Sequence, residues 1–189
     1  MVSLVNSLSN ALEEYDRPDL ETAVKNRLVR AIYELHGVTE FSRDLTVSPP
    51  EAVTGSPMQL TIPSDFRLLS RIIAYSSTGE EMQVTFEEAS VLNPVDYFNF
   101  AVPLFYMRRG TEIHVGYSGI SPTTLAIEYF KWPEVDIEAM TTDSWIVETN
   151  EGILHEKLCG IIARLAGKQD AVSGHNEAVL QGLYVISGD

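Results

Sequence analysis

An α+β fold is predicted for this chain: a helical bundle formed by N- and C-terminal helix pairs with an inserted antiparallel β lobe. Three observations predict it. Apolar residues recur at helical spacing at both ends, they alternate at period two through the middle, and Gly, Pro, Asn and Asp gather where the period changes. Helices at opposite ends of a sequence bury their apolar faces by meeting each other, which leaves the intervening strands as a separate lobe. The expected division is 1–40 for the first helix pair, 41–133 for the β-rich insertion and 134–189 for the helices that complete the bundle.

Leu4, Val5, Leu8, Ala11, Leu12 and Tyr15 stand three and four residues apart and predict the buried face of a first helix. Asp16-Arg17-Pro18 breaks it. Pro18 suits the first turn of a second helix with Asp16 or Arg17 near its cap, and Leu20, Ala23, Val24, Leu28, Ala31, Ile32 and Leu35 mark the buried stripe. Gly37 is expected to close that helix in the left-handed conformation. On the opposite face the spacings of Glu21 to Lys25 and Arg30 to Glu34 allow ion pairs, so this face is solvated or a subunit contact.

Beyond Gly37 the period becomes two. Met58, Leu60 and Ile62 alternate with Gln59 and Thr61 in a strand. Ile72 and Ala74, a Thr78-Gly79 turn, and Met82, Val84 and Phe86 read as a hairpin. Glu87 to Leu92 is expected to form a short helical turn closed by Asn93-Pro94. Phe105 and Met107, the Arg109-Gly110 turn, and Ile113, Val115 and Tyr117 predict a second hairpin; Leu125, Ile127 and Tyr129 form the last strand, stopped by Pro133. Asn150 then caps a helix whose apolar residues Ile153, Leu154, Leu158, Ile161, Ile162 and Leu165 form a band too wide for one neighbour, so this helix should be central. Gly167 ends it, and Val172, Val179, Leu180, Leu183 and Tyr184 give the last helix a stripe before Ser187-Gly188-Asp189.

With 189 residues the chain is long enough for one sizeable core or a helical core with a β insertion. The single Cys159 excludes an internal disulfide and suits a reducing compartment. No signal-like opening and no apolar run of ~18 residues are present, so a soluble protein made in a cytoplasm, with no membrane partner, is expected. Thirteen basic against 27 acidic residues give a net charge of −14. Such a chain is repelled by phosphate backbones, which argues against sequence-specific DNA binding. The scattered acids read as solvated surface or as a wall past which DNA slides without sticking.

Chemistry-bearing motifs fall short one by one. His155-Glu156-Lys157-Leu158-Cys159 is one residue away from the zinc-protease pattern H-E-x-x-H and puts His155 and Cys159 on one helix face. A third ligand is needed, and downstream only His175 offers itself, at a non-matching spacing. Buried Cys and packing His are the commoner use of such residues. Gly116-Tyr117-Ser118-Gly119 lacks the spacing of a nucleophile elbow and reads as a loop. The carboxylate pairs Glu13-Glu14, Glu80-Glu81 and Glu87-Glu88 are adjacent in sequence and do not face one site on a regular element. Tyr129-Phe130-Lys131-Trp132, Trp145 and Tyr97-Phe98-Asn99-Phe100 can serve as a stacking platform for sugar or base, or as half core and half interface. No catalytic, cofactor-binding or metal-ligating residue is assigned, and no cofactor is expected.

The order of elements carries more than any single motif. A helix pair is followed by Leu60-Thr61-Ile62-Pro63-Ser64-Asp65-Phe66, then Pro103-Leu104-Phe105-Tyr106 with the Arg109-Gly110 hairpin, then Leu125-Ala126-Ile127-Glu128-Tyr129-Phe130-Lys131-Trp132-Pro133. Thr142-Asp143-Ser144-Trp145 follows, and Thr149-Asn150-Glu151-Gly152-Ile153-Leu154 opens a helix. Over most of its length this order resembles the head-to-tail adaptor (connector or neck) proteins of tailed bacteriophages. The chain departs from that pattern at His155, Leu158 and Cys159, and Ser42 to Pro57 has no counterpart in it.

The resemblance implies a structural virion protein and not an enzyme. Copies of it, twelve in the family's pattern, would form a ring beneath the portal protein and join it to a tail, nozzle or tail-terminator protein. Double-stranded DNA would pass through the channel without specific binding. The implied location is the neck of the virion, after assembly in the host cytoplasm. Leu183, Tyr184, Val185 and Ile186 are the candidate contact with portal or neighbour, since apolar groups stand there on more sides than a helix pair requires; ordinary core packing is the alternative. Two other classes compete: a β-lobe module binding carbohydrate or a host receptor through the Trp132 or Trp145 region, and, last, a metal-dependent hydrolase using His155 and Cys159.

Overall fold

Helical segments occupy both ends of the chain and strands fill the middle, an α+β arrangement. The computed structural model describes residues 1–55, 57–89 and 104–187. In chain order the elements are β1 (Val2–Ser3), α1 (Val5–Glu14), α2 (Glu21–His36), β2 (Leu45–Val47), β3 (Glu51–Ala52), β4 (Met58–Thr61), β5 (Phe66–Tyr75) and β6 (Glu87–Glu88). There follow β7 (Leu104–Arg109), β8 (Glu112–Tyr117), β9 (Thr124–Lys131), β10 (Val135–Asp136), β11 (Thr141–Thr142), α3 (Trp145–Thr149), α4 (Glu151–Leu165) and α5 (Gln169–Ser187). Two units divide the chain: Met1–Arg43 with Trp132–Asp189, and Asp44–Lys131.

In the helical unit, Leu8, Ala11 and Leu12 of α1, Val24, Leu28 and Ile32 of α2, Ile153, Leu154, Leu158 and Ile162 of α4, and Val179 and Leu183 of α5 share one core. The other helices all pack on α4, whose broad apolar band needs several neighbours. Asn150 caps α4 as expected, its side chain accepting from the Gly152 N–H at 3.1 Å. The helix ends in a Schellman motif: Gly167 has φ +76°, its N–H donates to the Arg164 carbonyl, and the Lys168 N–H reaches the Ala163 carbonyl at 2.8 Å.

Several expectations are corrected here. Pro18 opens the helical stretch as expected, with Arg17 at the N-cap position, but as a 3₁₀ turn, Pro18–Leu20, that runs directly into α2. Gly37 has φ −80°, not the left-handed conformation, and its N–H donates to the Tyr33 carbonyl at 2.8 Å. Val5 is exposed, and Ser7 takes the buried place beside it, donating to Glu151 at 2.8 Å. Helix α3, capped by Ser144, and the small antiparallel sheet β1-β11-β10 were not foreseen, because elements this short show no period.

The β unit holds two sheets, ordered β4-β8-β7-β6 and β2-β9-β3, with β5 also paired to β9. The β7–β8 hairpin turns at Gly110, φ +61°, where the sequence places it. The Thr78-Gly79 turn also forms, but its return strand does not. Met82 donates to the Ala74 carbonyl, then Val84 donates back to Met82 at 2.8 Å, a tight bond that takes the chain off the ladder before Phe86. Glu87–Glu88 are a strand parallel to β7, not a helical turn, so one pair in this lobe is not antiparallel. Gly116 and Tyr117 belong to β8 and not to a loop: a Cβ at Gly116 would collide with the Phe105 ring, so the ring fills the glycine's empty face. The expectations for 90–94, for Tyr97-Phe98-Asn99-Phe100, for Pro103 and for Gly188-Asp189 lie outside the described residues.

Candidate functional site

Two features of the helical unit can do work beyond holding the fold. The first is the outer face of α5. Leu183 is buried in the core, Ile186 is half-buried against it, and Tyr184 and Val185 stand 66% and 75% exposed. The candidate quartet is therefore split, half core and half surface. Leu180, which the sequence puts in the buried stripe, is 55% exposed. Val172, Val179 and Leu183, seven and four apart, already form the inward line, so Leu180 and Tyr184 fall one position round the helix, on a shared face four residues apart. That offset was readable from the spacing.

The second feature is a polar cluster where α1, α4 and α5 meet. Glu14, the last residue of α1, accepts from His155 of α4 at 2.9 Å, and the Cys159 sulfur lies 3.5 Å from the same ring nitrogen. Beside it the Glu156 carboxylate accepts from Nδ1 of His175 at 2.8 Å, which leaves Nε2 to accept from the Tyr15 hydroxyl at 2.5 Å. The Lys168 ammonium lies 5.0 Å from the centre of the Tyr15 ring. Burial first, and then the charges of Glu14 and Glu156, push the Cys159 thiol up to about 12, so it is a protonated thiol at neutral pH. Burial likewise raises the Tyr15 phenol.

This geometry settles two points of the sequence reading. His175 has both ring nitrogens engaged and does not complete a set with His155 and Cys159. Glu14 is the residue that joins them, and its oxygen, the His155 nitrogen and the Cys159 sulfur lie within 4.8 Å of one another. Sequence reasoning missed it because Glu14 and His155 are 141 residues apart.

The aromatic candidates are engaged internally. Trp132 stacks on Tyr33 with centroids 4.8 Å apart, and Trp145 meets Phe41 edge-on at 5.1 Å, with the Arg43 guanidinium over its ring. Tyr129 and Phe130 are buried. Tyr129 donates to Asp65 at 2.9 Å, and burial together with that bond pushes its phenol up to about 12. A shallow hollow beside Trp132 is lined by Asn26, Arg30 and Glu34, but one face of its indole is already covered by Tyr33.

No protein-family model matches the chain, and no curated protein matches its sequence. No helix among the described residues is long and apolar enough to cross a membrane.

Proposed function

We propose that this chain is a head-to-tail adaptor of a tailed bacteriophage, one copy of a ring seated beneath the portal protein that joins the filled head to the tail. In this reading the two terminal helix pairs make a single bundle and the β unit is its inserted arm. The shared core of α1, α2, α4 and α5 supports the bundle. Stiff helices tile a ring, while a β arm reaches neighbouring subunits or layers. The net charge of −14 suits a channel wall that repels the genome at every step, so that DNA finds few sticky wells as it passes.

The observation that carries the proposal is the outer face of α5. Leu180, Tyr184 and Val185 are large apolar side chains left in water by a helix whose other side is firmly packed. Burying such a face between subunits stabilises a ring by about 25 cal/mol per Å² of apolar surface, and a central Tyr with aliphatic neighbours is the usual composition of a contact hot spot. Truncation at Gly182 does not test this, since it also removes the core residue Leu183. Tyr184→Ala with Val185→Ser does. Electron microscopy of the purified protein, alone and mixed with the portal ring of the same particle, is expected to show rings that the double variant no longer forms, while its melting temperature stays unchanged. A wild-type protein that remains monomeric in both conditions sinks the proposal.

A further inference from the structure

We propose that Glu14, His155 and Cys159 form a three-residue site for a zinc-class divalent cation that clamps the end of α1 to α4. The inference stands independently of the ring reading.

Donor chemistry and spacing come first. Carboxylate oxygen, imidazole nitrogen and thiolate sulfur are the three ligand types that zinc takes from proteins. With Zn–S of about 2.3 Å and Zn–N of about 2.0 Å, a tetrahedral ion holds its sulfur and nitrogen ligands about 3.5 Å apart. The observed separation of Cys159 Sγ and His155 Nε2 is 3.5 Å. On the same basis the oxygen and nitrogen ligands stand about 3.3 Å apart. Glu14 lies 2.9 Å from His155, so its carboxylate has to withdraw by a few tenths of an ångström. Its side chain is half exposed and free to do so. The exposed side of Glu14 also gives the ion a way in, and water takes the fourth position.

A second, independent observation points to a cation. Helix α1 ends in Glu13-Glu14 with no basic residue in its last turn. Carboxylates there face the negative end of the helix dipole, the reverse of the favourable placement. The negative charge of Glu156 is close enough to act on both Tyr15 and Cys159. A divalent ion at the triad offsets this concentration of negative charge, and a sulfur–nitrogen–oxygen set selects zinc over magnesium or calcium, which take oxygen alone. The protons balance as follows: the Cys159 thiol gives its proton to solvent as the S–metal bond forms, and the imidazole keeps one proton, on Nδ1, so that Nε2 presents its lone pair. The Tyr15–His175–Glu156 chain lies outside the ligand set and holds α5 in place beside it.

The test is a titration of the full-length, metal-free protein with Co²⁺, followed by visible absorption and then by displacement with Zn²⁺. One ion per chain is expected, with the intense bands of a four-coordinate site and a thiolate-to-cobalt charge-transfer band. Losing an outer-shell partner costs roughly 10–100-fold in metal affinity, so losing a ligand in Glu14→Gln or His155→Gln should weaken binding by at least about 100-fold. Cys159→Ser should abolish the charge-transfer band. Cys159 is fully buried and that variant can fail to fold, in which case Glu14→Gln, at an exposed position, decides alone. Cobalt that binds without thiolate character, affinity unchanged in Glu14→Gln, or no binding by the folded wild type overturns the site.

Discussion

The helical unit closes its core with aliphatic side chains, whereas the β unit holds one part of its interior with charge. In the helical unit buried polar groups meet one another by hydrogen bonds, as where His36 meets Ser144 at 2.8 Å. In the β unit Asp44, 3% exposed, is paired with Arg67, 8% exposed, at 3.2 Å, and the guanidinium also lies over the Phe130 ring. The difference teaches how each part specifies itself. Broad helix faces interdigitate and lose stability gradually when trimmed. A small sheet with short flanking strands has less apolar surface to spend, and a buried ion pair there tolerates one arrangement only, because either partner alone is a stranded charge.

The largest expected effect breaks this contrast directly. Asp44→Ala removes the carboxylate that faces the buried Arg67 guanidinium at 3.2 Å and should cost about 3–5 kcal/mol. Leu158→Ala, at a fully buried position of α4, should cost about 2–5 kcal/mol through its cavity. Native-state hydrogen exchange of the β9 amides reads the first and of the α4 amides the second. The units part in their rescue: replacing Asp44 and Arg67 together by Leu and Met should recover most of the loss, since a buried pair exchanged for apolar groups is near neutral. An Asp44→Ala loss under about 1 kcal/mol would instead put the pair with ordinary surface bridges.

Legibility in the sequence follows the same divide. Long elements with a sustained period were readable: α1, α2, α4, α5, the β7–β8 hairpin and β9 stand where the apolar spacing puts them. The Asn150 cap and the Gly167 ending were readable from local chemistry. What failed was set by short elements and by individual contacts that a period does not register. The alternation of Met82, Val84 and Phe86 reflects burial without a ladder, because the Val84 bond to Met82 bends the chain away. Of the α5 candidate quartet Tyr184 and Val185 are exposed, whereas Glu14 falls under the sound rule that adjacent carboxylates do not share a site. The rule holds for Glu13 and Glu14 together and says nothing about one of them meeting a distant helix.

Two glycines sharpen the comparison at a smaller scale. A Cβ at Gly116 in the β unit meets the Phe105 ring, which is itself buried and has nowhere to turn. Gly116→Ala should therefore cost about 1–3 kcal/mol by overpacking. A Cβ at Gly182 in α5 meets Ile153 Cγ1 at 2.7 Å, also too close but a milder overlap than the one with Phe105, and with an aliphatic chain in a helical core. The gain in helix propensity, about 1 kcal/mol for Gly→Ala, offsets much of that strain. Urea unfolding of the two variants should show a clear drop for the first and a change within about 0.5 kcal/mol for the second. Equal losses would mean that the helical core yields less than the sheet, since the overlap at Gly182 is the milder one.

Acid reads the smallest difference. The Glu128 carboxylate in the β unit is held below the usual range first by its hydrogen bonds from Arg71, with a further bond from Ser70, and its side chain is only 15% exposed. Glu34 in the helical unit is lowered by Lys157 first and Arg30 second, but it is 43% exposed and screened by water. Both folded values lie below the unfolded 4.5. Each contribution is therefore complete above that pH and is lost as pH falls through the folded value. Glu128→Gln should remove about 1 kcal/mol at pH 7, and Glu34→Gln only a few tenths. Once the pH has fallen through each folded value, that variant should converge on the wild type, because the wild-type carboxyl is then protonated as well. Unfolding followed across that window at two salt concentrations separates the pairs. The Glu34 contribution should shrink in high salt and the more shielded Glu128 contribution should persist; the opposite order would place the stronger electrostatic anchor in the helical unit and reverse the contrast between the two.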